Sequence, residues 1–197
     1  MSNYEIRKMA REKLGNNIFC NTWLMALVAY IIYAAITGAL SYFAIGAIFV
    51  GCLTYGYNSI HLDLVRGKSN IDLADCFLGF RRLSQTLVLG LLQYVFIFLW
   101  SLLFVIPGIV KGYSYAMSYY IMKDHPEYTP SQCITESRRI MDGHKMDLFL
   151  LDLSFIGWAL VCVLTCGIAT LWVTPYMQTA RAVFYYDLVG SAETQNA

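Results

Sequence analysis

The sequence has few charged residues. Asp, Glu, Lys and Arg together make up 14% of the 197 residues, whereas soluble domains carry about 25%. The formal net charge is only +1, so the chain lacks the basic excess typical of a nucleic-acid-binding surface. This composition leaves long uncharged stretches and gives no support for a nucleic-acid partner.

Motifs for metal binding and catalysis are also missing. The six cysteines form no C-x-x-C pair and have no histidine at zinc-ligand spacing, so we interpret them as small packing residues. The sequence has no G-x-S-x-G turn, H-E-x-x-H pair or Walker glycine loop. His61, His125 and His144 lie in polar connectors, where we expect solvated side chains. We predict a non-enzymatic protein with no catalytic residues, no metal and no cofactor.

Apolar residues, by contrast, are abundant. They make up 58% of the chain, and the mean hydropathy is +0.52. A helix needs about 20 residues to cross about 30 Å of hydrocarbon, and six stretches approach that length. We predict an all-α membrane protein with six transmembrane helices arranged as three hairpins. The predicted spans are residues 23–40, 43–60, 86–106, 109–122, 148–165 and 171–188.

Tight turns and prolines punctuate the apolar stretches. The three hairpins are predicted to turn near Ser41 and Tyr42, at Pro107 and Gly108, and around Cys166 and Gly167. Pro175 lies inside the sixth predicted span, where a proline removes one backbone hydrogen bond. We therefore treat Pro107, Gly108 and Pro175 as turn or kink positions.

A short polar helix is predicted ahead of each hairpin. Gly15, Gly79 and Gly143 are spaced 64 residues apart, and each is expected at the C′ position of such a helix. A hydroxyl residue followed three positions later by a polar one is typical of a helix start. The pairs are Ser2 and Glu5, Ser69 and Asp72, and Thr129 and Gln132.

This regular spacing predicts an internal repeat. The pseudo-repeats cover residues 2–66, 67–128 and 129–190, and together they form one polytopic membrane domain over residues 1–190. The remaining residues, 191–197, are expected to form a disordered C-terminal tail.

The three short helices combine an apolar face with basic residues. Their apolar residues are Ile6, Met9 and Ala10; Leu73, Ala74, Phe77 and Phe80; and Ile134, Ile140 and Met141. The candidate interfacial basic residues are Arg7, Lys8, Arg11, Arg81, Arg82, Arg138, Arg139 and Lys145. This pattern is typical of a helix lying in the headgroup layer of an anionic leaflet. The alternative is a solvated connector that packs on the bundle.

The distribution of Lys and Arg predicts an orientation. Thirteen of the fourteen lie on the side of the predicted bundle that carries both termini, and the opposite side has Lys111 alone. Because cytoplasmic loops are enriched in Lys and Arg, we expect both termini in the cytoplasm of a multi-pass protein.

Polar residues inside the spans are candidate functional groups. Asp152 and Arg181 lie at depths that differ by about 4–5 Å at about 1.5 Å per residue, so they could pair. Such a pair either locks the last hairpin or couples to a substrate; a third possibility is that the two side chains do not meet. Gln93 and Gln178 are the other deep polar residues and could hydrogen-bond between helices. Together with Tyr115 and Tyr119 of the Tyr-rich fourth span, they are the candidate residues of a polar cavity.

Three strings carry a resemblance to a known family. They are Ile106-Pro107-Gly108-Ile109, the run from Ser137 to Lys145, and Pro175-Tyr176 with Phe184-Tyr185-Tyr186. Over nearly its whole length the chain resembles a bacterial integral-membrane family, domain of unknown function nine-seven-five. It is more distantly similar to the membrane domain found ahead of some glycerophosphodiester phosphodiesterases, without their catalytic domain. The resemblance implies a bacterial plasma-membrane location and no particular reaction.

Two functions follow as hypotheses. The first is a non-enzymatic membrane protein that binds or organises lipid, or a membrane-protein partner, at the inner leaflet. Its expected partners are the bilayer, especially anionic lipids, and a second copy of the chain or another membrane protein. The alternative is a small transporter or channel that uses Asp152, Arg181 and the Tyr-rich fourth span. A water-filled cavity reaching Asp152 would favour transport, and a filled core with exposed basic helices would favour binding.

Overall fold

A computed structural model describes residues 2–14, 21–41, 46–68, 73–103, 105–165 and 167–195. All regular structure in these ranges is helical, which confirms the predicted all-α class. The first third contains α1 (Asn3–Lys13), α2 (Asn21–Ser41) and α3 (Gly46–Val65). The second third of the chain contains a 3₁₀ segment (Leu73–Phe77), α4 (Leu78–Arg81), α5 (Leu83–Leu103), α6 (Val105–Tyr115) and α7 (Ser118–Asp124). The last contains α8 (Pro130–Ile140), α9 (Lys145–Leu153), α10 (Ile156–Leu164) and α11 (Thr170–Gln195).

Two of the three predicted helix starts are seen. The Ser2 hydroxyl accepts a hydrogen bond from the Glu5 amide at 3.3 Å, and the Ser2 amide donates to the Glu5 carboxylate at 2.7 Å. Thr129 and Gln132 form the same reciprocal arrangement at α8. Each arrangement satisfies two backbone donors that a helix start leaves free. The middle pair, Ser69 and Asp72, lies outside the described residues.

The predicted role of the terminal glycines holds for one of the two that can be compared. Gly143 follows α8 with a φ of +84°, a conformation that costs glycine little. Gly79 is not at a helix end as predicted, because it lies inside α4. A Cβ atom at Gly79 would lie 2.0 Å from the Cys52 carbonyl oxygen. Close backbone packing therefore explains this glycine, while Gly15 is outside the described residues.

The 3₁₀ segment and α4 form one unit on α3, which we call the 73–81 segment. A second glycine, Gly56 of α3, would place a Cβ 2.0 Å from the Cys76 carbonyl oxygen. Thr86 of α5 also holds this segment in place, since its hydroxyl donates to the Gly79 carbonyl at 3.0 Å. The segment is thus held by backbone approaches that leave no room for larger residues.

The buried cysteines act as packing residues. Cys52, Cys76 and Cys133 are buried free thiols, and Cys162 is a half-buried one. Burial raises the pKa of both Cys76 and Cys133 to about 11. Thiols with such pKa values are poor nucleophiles at neutral pH.

The predicted turns are only partly correct. Gly167, with a φ of +88°, lies between α10 and α11 as expected. Pro107 and Gly108 do not form a turn, because α6 begins at Val105 and includes both. The first turn of a helix tolerates proline, since its missing N–H has no partner there. Pro175 lies inside α11. Ser41 is the last residue of α2, and Tyr42 is outside the described residues.

Two predicted spans are interrupted, and one helix is longer than expected. The fourth span breaks between α6 and α7, and the fifth breaks at Ser154 and Phe155, between α9 and α10. Helix α11 continues to Gln195, so the chain is helical over most of the predicted disordered tail. The predicted spans 109–122 and 148–165 therefore each consist of two helical segments.

Two described stretches are long and apolar enough to cross a membrane: Leu83–Trp100, with mean hydropathy 1.7, and Lys145–Leu164, with 2.0. Only 11% and 17% of their residues are buried, so they are unlike the core helix of a soluble protein. Several of their apolar side chains are largely exposed, including Leu91, Tyr94, Leu160 and Leu164. The described residues thus contain two such stretches rather than the six predicted.

Candidate binding cavity

The predicted polar pair forms an ion pair between α9 and α11. The Arg181 guanidinium donates to Asp152 through two parallel bonds, Nε to Oδ1 at 3.0 Å and Nη2 to Oδ2 at 2.7 Å. The Tyr113 hydroxyl also donates to Asp152 Oδ2, at 3.2 Å. A two-point arginine–carboxylate contact is stronger and more directional than a single bond. The side chains are 12% (Asp152) and 32% (Arg181) exposed.

A cavity of about 270 Å³ lies beside this pair, among α3, α5, α6, α7 and α11. We call it the Arg181 cavity. All four residues that the sequence suggested for a polar cavity line it, namely Gln93, Tyr115, Tyr119 and Gln178. The rest of the lining is Thr54, Asn58, Ile97, Gly112, Ala116, Met117, Tyr120 and Arg181. Its volume is just below the range of about 300–1,000 Å³ that is usual for small-molecule sites.

One hydrogen bond and one ring stack position residues of the cavity wall. Gln93 donates from Nε2 to the Tyr115 carbonyl at 2.9 Å, which fixes the amide across α5 and α6. Tyr120 stacks on Tyr185 with ring centroids 5.3 Å apart. The Tyr120 hydroxyl is buried and has no hydrogen-bond partner among the described residues. A buried polar group without a partner is costly.

The residues that line the cavity carry charge of one sign. Among the described residues that line it, Arg181 is the one cation, and no Asp or Glu is present. Asp152 engages Nε and Nη2 of Arg181, which leaves the Nη1 group for another acceptor. The side chain of Gln178 makes no hydrogen bond within the described residues. The cavity therefore offers a guanidinium, amides and phenols to a group that accepts hydrogen bonds.

Sequence reasoning missed the contribution of α3 to this cavity. Thr54 and Asn58 line it, and Asn58 is 8% exposed. A signal was present, because two polar residues four positions apart on an apolar helix share one face.

An apolar groove of about 490 Å³ lies between α3 and α5, and we call it the α3–α5 groove. Its lining is Val50, Gly51, Leu87, Val88, Gly90, Leu91, Tyr94 and Tyr119. Gly51 and Gly90 bring the two helices together, since a Cβ at Gly90 would lie 3.2 Å from the Gly51 Cα. Tyr119 lines both the groove and the Arg181 cavity.

The apolar faces of α1 and α8 pack on the bundle rather than remaining open. Ile6 and Ala10 are buried, and α1 is tied to α9 and α11. Arg7 donates to the Ser154 carbonyl at 3.3 Å, and the Tyr176 hydroxyl donates to the Arg7 carbonyl at 3.1 Å. Both helices thus match the alternative of connectors packed on the bundle.

Helix α8 also explains the break in the fourth span. The Ser137 hydroxyl donates to the Ser114 carbonyl at 2.8 Å and accepts from the Met117 amide at 3.3 Å. These are backbone groups on the two sides of the break between α6 and α7. Sequence analysis did not identify Ser137, since a lone serine on a polar helix carries no distinctive signal.

The 73–81 segment is the exception among the short helices. Phe77 and Phe80 remain 44% and 38% exposed, with ring centroids 6.1 Å apart. Arg81 is exposed beside them, and Arg82 donates to the Pro126 carbonyl at 3.0 Å. This segment therefore presents exposed apolar residues beside a basic one, as was predicted for all three.

The remaining basic residues form surface contacts. Lys8 lies 3.9 Å from Glu12, Arg139 bonds Glu136 at 2.6 Å, and Lys145 bonds Asp142 at 3.3 Å. Arg11 and Arg138 are exposed. Exposed pairs of this kind contribute little to stability.

A charged network ties together the ends of α3, α7 and α11. Asp124 accepts from Arg66 at 2.6 Å and from the Tyr185 hydroxyl at 2.8 Å. Lys123 donates to the Ser59 carbonyl at 2.6 Å and to Asp63.

The network reaches the 73–81 segment through Lys68. Its ammonium lies 3.4 Å from Asp75 and 3.5 Å from Asp63. These two carboxylates raise the pKa of Lys68. No cluster of three or more His, Cys, Asp and Glu side chains in the described ranges is arranged to hold a metal ion.

His61 is not solvated as predicted. It is fully buried, and its Nδ1 atom lies 2.9 Å from the Thr179 hydroxyl. Helix α3 continues to Val65, so His61 belongs to the packed part of the bundle. Tyr57 packs edge-on against it with centroids 4.7 Å apart.

Comparison with known families gives one result. A family model described as "Protein of unknown function (DUF975)" matches the chain twice, over residues 1–114 and residues 102–192. Searches of curated proteins and of solved structures found no match. The two family matches together cover nearly the whole chain.

Proposed function

The chain belongs to the family of proteins of unknown function DUF975, and we propose that it is a non-enzymatic membrane protein that binds lipid at the inner leaflet. In this proposal it crosses the plasma membrane of a bacterium six times, with both termini in the cytoplasm. Helices α2, α3, α5 and α11 are four of the spans. Helices α6 with α7, and α9 with α10, form the other two.

Exposed apolar surface and charge distribution support this arrangement. The two stretches that are long and apolar enough to cross a membrane are largely exposed, and exposed apolar area of that extent needs a covering of lipid or protein. The strong bias of Lys and Arg to one side supports cytoplasmic termini. The 73–81 segment, with exposed Phe77, Phe80 and Arg81, would then lie at the inner headgroup layer.

The Arg181 cavity is the observation that carries the binding function. It is a cavity with several polar side chains within an apolar bundle, and the described residues that line it include one guanidinium and no carboxylate. Polar groups in an apolar environment are costly without partners. A lipid headgroup that accepts hydrogen bonds would satisfy Arg181 Nη1 and the Gln178 amide together.

The test is lipid-dependent thermal stability of the purified protein in detergent. Added anionic phospholipid should raise the unfolding temperature of the wild type, because a ligand that binds the folded state stabilises it. Gln178→Leu should reduce that increase by at least half while leaving the unfolding temperature without lipid unchanged. The matched control is Gln85→Leu, a change near the start of α5 and outside the cavity lining. An equal lipid response in all three proteins would refute the proposal.

One observation favours transport as a second candidate. Asp152 also lines a depression of about 480 Å³ between α9, α10 and α11, while its partner Arg181 lines the polar cavity. The ion pair thus lies between two openings. A pair in that position could separate two access routes, as the transporter alternative requires.

Asp152→Asn separates the two candidates. For a purely structural pair, we expect this variant to lose about 1–3 kcal/mol of unfolding free energy, because it leaves Arg181 without its carboxylate. Proton flux into liposomes, followed with an enclosed pH-sensitive dye, should be absent in both proteins. Flux through the wild type that disappears in a stable Asp152→Asn variant would favour transport instead.

A further inference from the structure

We propose that the ligand is a glycerophospholipid, with its phosphate-bearing head in the Arg181 cavity and one acyl chain in the α3–α5 groove. This inference rests on the proposed function and assigns a chemical class to the ligand. It also gives Tyr119 a specific position, at the junction between the head and the chain.

The first argument is that the two spaces adjoin. The cavity and the groove are lined by different residues except for Tyr119, which lines both. A molecule that extends from one into the other must pass this side chain. The groove lies at the surface of the bundle, since Val88, Leu91 and Tyr94 are 47%, 60% and 72% exposed. A lipid could therefore enter laterally from a bilayer.

The second argument is the contact that positions Tyr119. Its hydroxyl oxygen lies 3.2 Å from where a Cβ of Gly90 would be, and 3.3 Å from where a Cβ of Gly51 would be. The absence of both Cβ atoms leaves room for the hydroxyl between α3 and α5. The Tyr119 hydroxyl is thus held between the Arg181 cavity, whose lining carries polar side chains, and the apolar α3–α5 groove.

The third argument is chemical complementarity. The described lining of the cavity supplies a cation and neutral polar groups, whereas the groove is apolar apart from its tyrosine hydroxyls. Inorganic phosphate would satisfy the cavity alone, and a hydrocarbon would satisfy the groove alone. Because lipid tails are as apolar as the groove, the head supplies the affinity and the groove sets where the chain lies.

Photo-crosslinking tests where the chain lies. The wild type, reconstituted in phosphatidylcholine vesicles, receives a small fraction of phosphatidylglycerol with a diazirine on one acyl chain. We expect labelling at Val88, Leu91 and Tyr94 to exceed labelling on α10 by at least fivefold, read by mass spectrometry. A diacylglycerol with the same diazirine chain lacks the phosphate and should label both helices equally. Even labelling of α5 and α10 by both probes would overturn the inference.

Two variants connect the labelling to the proposed site. Leu91→Trp should fill the groove and abolish the excess labelling, and the protein should fold because Leu91 is largely exposed. Leu99→Trp, on the same helix and outside the groove lining, is the control. Gln178→Leu should also reduce labelling of the groove if the headgroup anchors the lipid. Excess labelling that persists in both Leu91→Trp and Gln178→Leu would contradict the inference.

The outcomes also separate this inference from the proposed function. If anionic lipid stabilises the protein through Gln178 but the diazirine labels other surfaces, the chain position is wrong and lipid binding stands. If inorganic phosphate stabilises the protein as well as the phospholipid does, the ligand is not a lipid. If neither raises the unfolding temperature, both proposals fail.

Discussion

Helix α8 and the 73–81 segment occupy equivalent places in the chain, each ahead of a pair of long helical segments. Both carry apolar residues beside arginines, and their glycines are spaced 64 residues apart. Helix α8 buries Cys133, Ile134 and Ser137 in the bundle. The 73–81 segment instead buries Cys76 and Gly79 and leaves its two phenylalanines exposed.

The difference arises from what each segment packs against. Helix α8 faces an interrupted helix with a free carbonyl and a free amide, and the Ser137 hydroxyl satisfies both. The 73–81 segment faces the continuous helix α3, which offers a flat backbone surface at Cys52 and Gly56. Only small residues approach such a surface closely, so the large aromatic residues point away. Similar sequence patterns therefore bury different faces.

The largest expected effect comes from the glycine contact. Gly79→Ala should destabilise the protein by about 3 kcal/mol, because overpacking a tight contact costs about 1–3 kcal/mol and occasionally more. Here the added Cβ would meet backbone atoms of Cys52, with the carbonyl oxygen at 2.0 Å, and these cannot rotate away. Thermal unfolding and size-exclusion profiles in detergent measure the effect.

The control for this change is Gly157→Ala in α10. A Cβ there has no atom within 4 Å, so alanine should stabilise the helix by about 0.5–1 kcal/mol. If Gly79→Ala were as stable as Gly157→Ala, the close approach of the 73–81 segment to α3 would be wrong.

A smaller effect on stability is expected where α8 packs against the break between α6 and α7. Ser137→Ala should cost about 1–3 kcal/mol, since it leaves the Ser114 carbonyl and the Met117 amide without their partner. Ser131→Ala, on the exposed face of the same helix, should stay within about 0.5 kcal/mol of the wild type. Equal stability of the two variants would mean that Ser137 does not support the helix break.

The smallest effect on stability is expected at the exposed aromatic pair. Phe80→Cys, with an environment-sensitive dye, should leave stability within about 0.5 kcal/mol of the wild type. Its emission should shift to the blue in anionic liposomes if the 73–81 segment lies in the headgroup layer. The comparison site is Arg138→Cys on the exposed face of α8, where we expect no shift.

This labelling requires serine at Cys20, Cys162 and Cys166. Cys52, Cys76 and Cys133 can remain, because all three are buried, and burial raises the pKa of Cys76 and Cys133 to about 11, which keeps those two thiols protonated. A blue shift at both sites, or at neither, would remove the distinction between the two segments.

The candidate cavity was predicted better than the helices around it. Gln93, Tyr115, Tyr119, Gln178 and the Asp152–Arg181 pair were selected because polar residues are rare and costly in apolar spans. That argument depends on composition and depth, both of which are readable along the chain. The helix breaks were missed because they depend on Ser137 and Arg7, which come from distant parts of the sequence.

The sequence alone determined that the protein is helical and rich in exposed apolar surface, and which polar residues lie inside its apolar stretches. These properties follow from the order of polar and apolar residues, which a single chain carries by itself. The tertiary structure decided which face of each short helix is buried and where Gly79 packs. It also decided that the Arg181 cavity and the α3–α5 groove meet at Tyr119. Such contacts depend on the shape of the partner helix, and no local pattern encodes that shape.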